Sequence, residues 1–277
     1  MTKKKSAAEP VEYIDSQAFD AAKEKIIGKS HNDKGIGTLS EKTLHAVLKM
    51  YYEPDEDNHE VAIDGYFADI YNEHGIIEIQ TRQLNKLRDK LSVFLNEYQV
   101  RVVYPMPYEK YLSWIEPETG DITSRRKSPK RCSVYDAMYE LYKIKAFLKN
   151  QNLKVTLLLI DMEEYKLLNG WSYDKKRGSV RYDRIPVGIR KIVELDCPQD
   201  YMQFVPEGLE NGFTSADFAN AAHIDRQTAA SVLAMLNYME QVKRVGKTGN
   251  AYISVSYTHV RAHETLSDLV CRLLLEK

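Results

Sequence analysis

The sequence predicts an α/β protein whose last part consists of short helices and a hairpin. Residues 61–81 contain three short runs rich in β-branched and aromatic residues, separated by turn sequences. Amphipathic helical patterns lie on both sides of these runs. After residue 198 the pattern changes to short helices and then to a glycine-rich hairpin. The chain has 277 residues, 43% hydrophobic and 29% charged, a balance typical of a globular protein that buries a core.

The first elements are a leader and two helices. Residues 1–12 are polar and predict a flexible leader. Residues 16–28 form an amphipathic helical pattern that ends at a glycine, and a polar loop follows. Ser40 is a suitable N-cap for a second helix over residues 41–52.

The pattern then predicts three strands, a helix and a further strand. The strands are expected at residues 61–63, 66–71 and 76–81, separated by Asp64-Gly65 and by residues 72–75, which favour turns. A helical pattern covers residues 83–96, and a buried type of strand covers 100–104, where Pro105 and Pro107 are expected to end it. The predicted order is therefore α-β-β-β-α-β. A helix near 135–149 and an apolar strand at 154–160 follow.

These patterns divide the chain into five segments. They are a leader and helix at 1–37, an α/β domain at 38–165, a basic connecting segment at 166–197, a helix–turn–helix segment at 198–254 and a tail at 255–277.

Charge is distributed unevenly along a chain whose net charge is only −1. Residues 120–191 contain 17 Lys or Arg against 8 Asp or Glu, so the middle of the chain is basic. Two basic segments, 124–131 and 171–184, lie there, and Trp171, Tyr173 and Tyr182 interrupt the second. Cations interleaved with aromatic rings favour nucleic-acid binding, and the alternative is a solvated basic loop. The candidate DNA-binding residues in the second segment are Lys175, Lys176, Arg177 and Arg181.

Several classes of protein are disfavoured by composition. The longest strongly apolar run, residues 155–160, is far shorter than the roughly 20 residues that span a bilayer. The N-terminus has lysines without the apolar stretch of a secretory signal. The three cysteines lie far apart, which supports neither a disulfide framework nor a zinc site. We therefore expect a cytoplasmic protein without a membrane partner.

Two carboxylates fall on neighbouring strands of the predicted sheet. Asp69 lies near the end of one strand, and Glu78 and Gln80 lie on the next. Because residues two apart share a face of a strand, Glu78 and Gln80 point the same way. A hairpin can bring Asp69 beside Glu78, and such a pair of carboxylates suits Mg²⁺.

This arrangement resembles the PD-(D/E)xK nuclease superfamily, whose core has the same α-β-β-β-α-β order, over residues 38–104. The resemblance implies a restriction-endonuclease-like fold and hydrolysis of phosphodiesters with Mg²⁺ or Mn²⁺. Asp69 and Glu78 would be metal ligands, Gln80 would stand where the superfamily has a lysine that positions water, and Glu41 would match an additional acidic residue. Ala68 replaces the proline of the motif, and Gln80 removes the lysine's cation. The alternative is an ordinary sheet, with Asp69 in a turn and Glu78 facing solvent.

The segment from residue 198 resembles the winged helix-turn-helix domains of bacterial DNA-binding proteins. A helix near 199–204, a helix at 213–222, a turn at 223–225, a helix at 226–239 and a hairpin around residues 246–250 carry the resemblance. It implies that the second helix of the motif enters the major groove and that the hairpin contacts phosphates. The alternative is a winged helix used for protein contacts. The implied DNA-binding residues are Arg226, Gln227, Thr228, Lys243, Arg244 and Lys247.

The tail, residues 255–277, resembles the translation of a sequencing-library adapter, with Val260 in place of leucine. We therefore expect the natural C-terminus to be absent. The alternative is an amphipathic helix with Leu269, Leu273 and Leu274 on one face.

The leading interpretation is a DNA-binding, nuclease-like protein that hydrolyses phosphodiesters with Mg²⁺ or Mn²⁺. The second interpretation is a non-catalytic winged-helix regulator that keeps an inactive nuclease fold. A protein-interaction scaffold is a third. The sequence leaves the oligomeric state open, with a homodimer as one candidate.

Overall fold

The structure, a computed structural model, describes residues 13–32, 43–169, 178–210 and 212–256. The helices in these ranges are α1 Ser16–Asn32, α2 Thr43–Tyr52, α3 Arg88–Phe94, α4 Met138–Lys143, α5 Ser215–Ala222 and α6 Arg226–Tyr238. The strands are β1 His59–Ile63, β2 Tyr66–Asn72, β3 Gly75–Ile79, β4 Val100–Ile115, β5 Arg126–Lys127, β6 Leu153–Leu167, β7 Val180–Leu195, β8 Val242–Thr248 and β9 Ala251–Ser256. Short 3-10 helices occupy Glu56–Asn58, Leu84–Leu87, Val134–Ala137, Lys145–Phe147 and Pro198–Phe204.

Seven of these strands form one mixed sheet, so the predicted α/β class is confirmed. The strand order is β1-β2-β3-β4-β6-β7, and β5 pairs with β4. Strands β2 and β3 are antiparallel, and β3 and β4 are parallel. From α2 to β4 the element order is the predicted α-β-β-β-α-β.

The chain divides into two compact units. Unit 1 contains the described residues within 1–61, 105–132 and 158–192, and unit 2 contains those within 62–104, 133–157 and 193–277. The long strands β4, β6 and β7 each contribute residues to both units.

Both predicted turns between the first three strands are present, and glycine is needed at each. Asp64 and Gly65 have φ angles of 48° and 83°, the left-handed pair that a tight hairpin requires. Gly75 has a φ of 106°, and a Cβ there would lie 2.4 Å from the carbonyl oxygen of Gln99. The β2–β3 hairpin therefore depends on glycine at position 75 for both conformation and space.

The prediction that Pro105 and Pro107 end a strand is wrong, because β4 continues to Ile115. The ladder between β3 and β4 reaches only Val103, whose carbonyl accepts the amide of Gln80. Beyond this point no β3 residue needs an amide donor from β4. Prolines are tolerated where a strand has no neighbour to receive its N–H.

Two predicted helices are shorter than expected. The region 83–96 begins as a 3-10 helix and becomes α3 only at Arg88. The region 135–149 is interrupted at Ile144, whose φ of −110° and ψ of 16° lie outside the helical range. The strand predicted at 154–160 instead continues to Leu167, because its charged residues have partners within unit 1.

Unit 1 has a helical layer made by α1 and α2. Phe19 and Val47 are buried, and the Phe19 and Tyr51 rings meet edge to face. Gly188 lies under the ring of Tyr13, and a Cβ at that position would come within 2.5 Å of the ring.

Unit 2 contains α3 and the helices of the C-terminal part. Leu91 and Phe94 of α3 are fully buried. Phe204 and Phe218 contact the ring of Tyr135, which joins the C-terminal part to the region before α4. None of the helices in the described ranges has the length and apolar character needed to cross a membrane.

Candidate functional site

The structure brings Asp69 and Glu78 together on neighbouring strands. The β2–β3 register pairs Ile70 with Ile77, and continuing it by one residue sets Asp69 opposite Glu78. The amide of Ile79, the residue after Glu78, donates to Oδ2 of Asp69 at 2.7 Å. The alternative of a turn aspartate is therefore wrong, because Asp69 lies within β2.

Glu78 is buried beneath α3 and forms an ion pair with a residue that the sequence analysis missed. Its relative exposure is 1%, so the alternative in which Glu78 faces solvent is also wrong. The ammonium of Lys90 lies 3.0 Å from Oε1 and 2.9 Å from Oε2 of Glu78. Lys90 also donates to the carbonyl of Phe67 at 2.6 Å. Both oxygens of Glu78 are thus occupied by one cation.

Burial raises the pKa of Glu78 to about 7. The negative charge of Asp69 adds to the increase, whereas the charge and hydrogen bonds of Lys90 oppose it. The desolvation of the carboxylate outweighs its ion pair, so Glu78 changes charge near neutral pH.

A signal for Lys90 is present in the sequence. On α3 it lies between Leu87, Leu91 and Phe94, all of which are buried. A lysine inside the apolar stripe of a helix has its ammonium close to the core and requires a buried partner.

The other two residues of the predicted catalytic set are placed differently. Gln80 follows β3 directly and is half-buried. Its backbone amide donates a hydrogen bond to the carbonyl of Val103 at 2.9 Å. Glu41 lies outside the described residues. Among the residues that are described, no three His, Cys, Asp or Glu side chains are grouped closely enough to hold a metal ion.

The predicted helix, turn and helix are formed in unit 2. Thr214 caps α5, with Asp217 completing a capping box. His223 has a φ of 54° at the turn, and Asp225 caps α6 through the amides of Gln227 and Thr228, both at 2.9 Å. The geometry of this turn is therefore determined by hydrogen bonds between residues that are close in the sequence.

The N-terminus of α6 presents two of its three predicted DNA-binding residues openly. Arg226 and Gln227 are exposed. Thr228 is partly buried, and its hydroxyl donates to Oδ2 of Asp225 at 2.6 Å. The Thr228 hydroxyl is therefore engaged in the N-cap of α6 and is not presented openly as a DNA contact.

The hairpin of β8 and β9 follows, with Lys243, Arg244 and Lys247 all exposed. The guanidinium of Arg244 and the ammonium of Lys247 lie 4.4 Å and 4.7 Å from the ring centre of Tyr252, which is 46% exposed. The ladder has a register shift between Arg244 and Gly246. It continues through Ser256, two residues beyond the predicted segment.

The first basic segment is largely paired within unit 1. Arg125 stacks 3.5 Å from the centre of the Tyr111 ring and lies 2.8 Å from Glu163. Lys127 lies 2.8 Å from Glu109, which also pairs with Arg131. The hydrogen bond from Lys127, with the charges of Arg131, Lys127 and Arg190, lowers the pKa of Glu109.

The second basic segment is described only in part. Arg181 lies on β7, with its Nε 3.1 Å from the buried carboxylate of Glu164. Lys175, Lys176 and Arg177, as well as Trp171 and Tyr173, lie outside the described residues. Arg125, Lys127, Arg131 and Arg181 of the two basic segments are thus paired with carboxylates on strands β4 and β6.

Sequence reasoning missed these buried carboxylates. Asp161 accepts hydrogen bonds from the Tyr13 hydroxyl at 3.0 Å, the Glu109 amide at 3.0 Å and Arg190 Nε at 2.6 Å. Burial, followed by the charge of Asp161, raises the pKa of Tyr13 to about 12. The buried carboxylates Glu109, Asp161 and Glu164 each form an ion pair with at least one cation, which is the condition for burying charge.

Comparisons with known proteins identify a relative of this chain and its family. The chain is 30% identical over 167 residues to an "Uncharacterized protein" of Treponema pallidum (strain Nichols), which is 60% of this chain and 64% of that protein. The chain thus spans less than two thirds of that relative's length. No solved structure matches this chain. A family model described as "Domain of unknown function (DUF8091)" matches residues 42–196, more than half of the chain. The protein therefore belongs to the DUF8091 family.

Proposed function

We propose that this protein binds DNA through α6 and the β8–β9 hairpin of a winged helix-turn-helix. The observation that carries the proposal is the charge of these elements. Together α6, β8 and β9 contain four basic residues, Arg226, Lys243, Arg244 and Lys247, and no acidic residue, and all four are exposed. Exposed cations without neutralising carboxylates on their own elements suit a phosphate backbone.

The order of these elements supports the same proposal. Arg226 and Gln227 at the start of a helix can lead into the major groove, where arginine and glutamine pair with base edges. The hairpin adds cations beside Tyr252, so a phosphate and the adjacent sugar can be contacted together.

The test is the affinity for labelled duplex DNA of a triple variant, Lys243→Ala with Arg244→Ala and Lys247→Ala. We expect roughly tenfold weaker binding or more at moderate salt, because three phosphate contacts are lost. Lys86→Ala, which removes an exposed lysine outside these elements, is the matched control and should bind normally. Unchanged affinity of the triple variant would refute this interface and favour a protein-interaction role.

For the sheet, we propose a nuclease-like core that is closed, which means that a phosphodiester cannot reach its carboxylates. Lys90 occupies both oxygens of Glu78, and that side chain is buried. A phosphodiester has no direct access to a carboxylate held in this way. The role that follows is DNA binding without cleavage.

Hydrolysis of DNA is the second candidate, and one observation favours it. Lys90 brings to Glu78 the positive charge that Gln80 does not supply. Mg²⁺ is commonly held by one or two carboxylates together with water and substrate oxygens, so the donor set of Asp69 and Glu78 fits this ion. The ion would stabilise charge on the phosphodiester, and Lys90 would compete with it for Glu78.

Cleavage assays distinguish these two candidates. Duplex, branched and single-stranded DNA are incubated with the protein and Mg²⁺ or Mn²⁺, beside Asp69→Ala and Glu78→Ala variants prepared in the same way. Binding without cleavage supports the closed core. Cleavage by the wild type that both variants lose would establish the nuclease and contradict the closed core.

A further inference from the structure

A groove of about 580 Å³ lies between α4 and α6 within unit 2. We call it the α4–α6 groove. Its α6 side consists mainly of small residues, and its α4 side carries two tyrosines. The lining residues are Met138, Tyr139, Tyr142, Lys143, Gln227, Ala230, Ser231 and Ala234. Its volume lies within the range of pockets that bind small molecules, roughly 300–1,000 Å³.

The two tyrosines of the groove are unusually open to solvent. Tyr139 is 72% exposed and Tyr142 is 55% exposed. Adjacent exposed rings at the edge of a concave surface are typical of a binding site, because each ring leaves a large apolar face in water.

Lysine ammonium groups lie against the rings. That of Lys143 is 4.4 Å from the centre of Tyr139, and that of Lys145 is 5.1 Å from Tyr142 and 4.2 Å from Tyr238. Lys143 also pairs with Glu140 at 2.6 Å. Lys145 forms no ion pair with any described residue, so its charge is available to an anion.

Aromatic faces beside cations match the two parts of a nucleotide. A base can stack on a tyrosine ring, and a phosphate can contact an ammonium. Within a duplex both faces of a base are covered by its neighbours, so only unpaired nucleotides can stack in this way. The groove also shares Gln227 with the N-terminus of α6, so it is continuous with the proposed DNA contact.

We propose that the α4–α6 groove binds unpaired nucleotides of a DNA strand that adjoins the duplex held by α6 and the hairpin. Bases stack on Tyr139 and Tyr142, and Lys145 contacts a phosphate. This inference rests on the DNA binding proposed above and specifies which DNA structure is preferred.

The test compares three labelled DNA molecules: a duplex, the same duplex with a single-stranded extension, and the single strand alone. The wild type should bind the extended duplex more tightly than the blunt duplex. The variant Tyr139→Ala with Tyr142→Ala should bind the extended duplex at least about fivefold more weakly and the blunt duplex unchanged. The double Tyr→Phe variant keeps both rings and should behave as the wild type. Circular dichroism checks that each variant is folded.

The outcomes separate this inference from the proposed function. Equal affinity of the wild type and the double alanine variant for the extended duplex, with the hairpin variant still weakened, overturns the groove proposal and leaves DNA binding intact. A groove that serves a peptide would give this result. Absence of binding to all three DNA molecules overturns both proposals.

Discussion

Lys90 determines what the two sheet carboxylates can do. It holds the buried Glu78 through both oxygens, while Asp69 on β2 accepts a hydrogen bond from the backbone amide of Ile79, which follows Glu78 on β3. The positions of Asp69 and Glu78 on neighbouring strands could be predicted because strand alternation and turn residues fix their register. Their ion pair could not, since it depends on how α3 packs against β3. Helix periodicity does, however, place Lys90 among buried leucines, which indicates a buried partner.

The raised pKa of Glu78 predicts how stability changes with pH. Between the ordinary carboxyl value and about 7, the folded protein holds a proton that the unfolded chain has released. The free energy of unfolding therefore falls as pH rises through this window. From pH 5 to pH 8 we expect the wild type to lose about 2 kcal/mol more than Glu78→Gln, which does not titrate at this position.

Urea unfolding at both pH values measures this difference. Asp69→Asn is the companion variant, because it retains a hydrogen-bond acceptor and removes the charge that raises the pKa of Glu78. It should show a smaller pH effect than the wild type. Parallel pH profiles for wild type and Glu78→Gln would contradict the assigned environment of Glu78.

At the scale of elements, local chemistry predicted the turns well. The turns at Asp64-Gly65 and at residues 223–225 each depend on residues within a few positions of one another. The extent of β4 was mispredicted, because the effect of Pro105 depends on whether a neighbouring strand needs its amide. The break at Ile144 likewise has no marker in the sequence, which contains neither Gly nor Pro at that point.

The β2–β3 hairpin provides the prediction at this scale. Gly65→Ala places a side chain at positive φ in open space and should cost about 1 kcal/mol. Gly75→Ala incurs a similar conformational cost and also brings a Cβ to 2.4 Å from the Gln99 carbonyl. We therefore expect it to be at least about 1 kcal/mol more destabilising than Gly65→Ala. Chemical denaturation of the two variants provides the comparison, and equal losses of stability would contradict the close approach at Gln99.

For the whole molecule, the charge count along the sequence was a poor guide to where an exposed positive surface lies. In the two basic segments, Arg125, Lys127, Arg131 and Arg181 pair with Glu109, Glu163 and Glu164, which sequence reasoning counted separately. The cations of α6 and the hairpin have no acidic residue on their own elements. The location of a positive surface therefore depends on which carboxylates the fold brings to each cation, and a charge count along the chain does not contain that information.

The dependence of duplex-DNA affinity on salt concentration tests DNA binding most directly. Fluorescence anisotropy with a labelled duplex gives the association constant over a series of salt concentrations. We predict that its logarithm falls linearly with the logarithm of salt concentration, and that the triple hairpin variant has a slope shallower by up to about 3. Binding that does not respond to salt, or a variant slope equal to that of the wild type, would contradict a phosphate-binding surface on α6 and the hairpin.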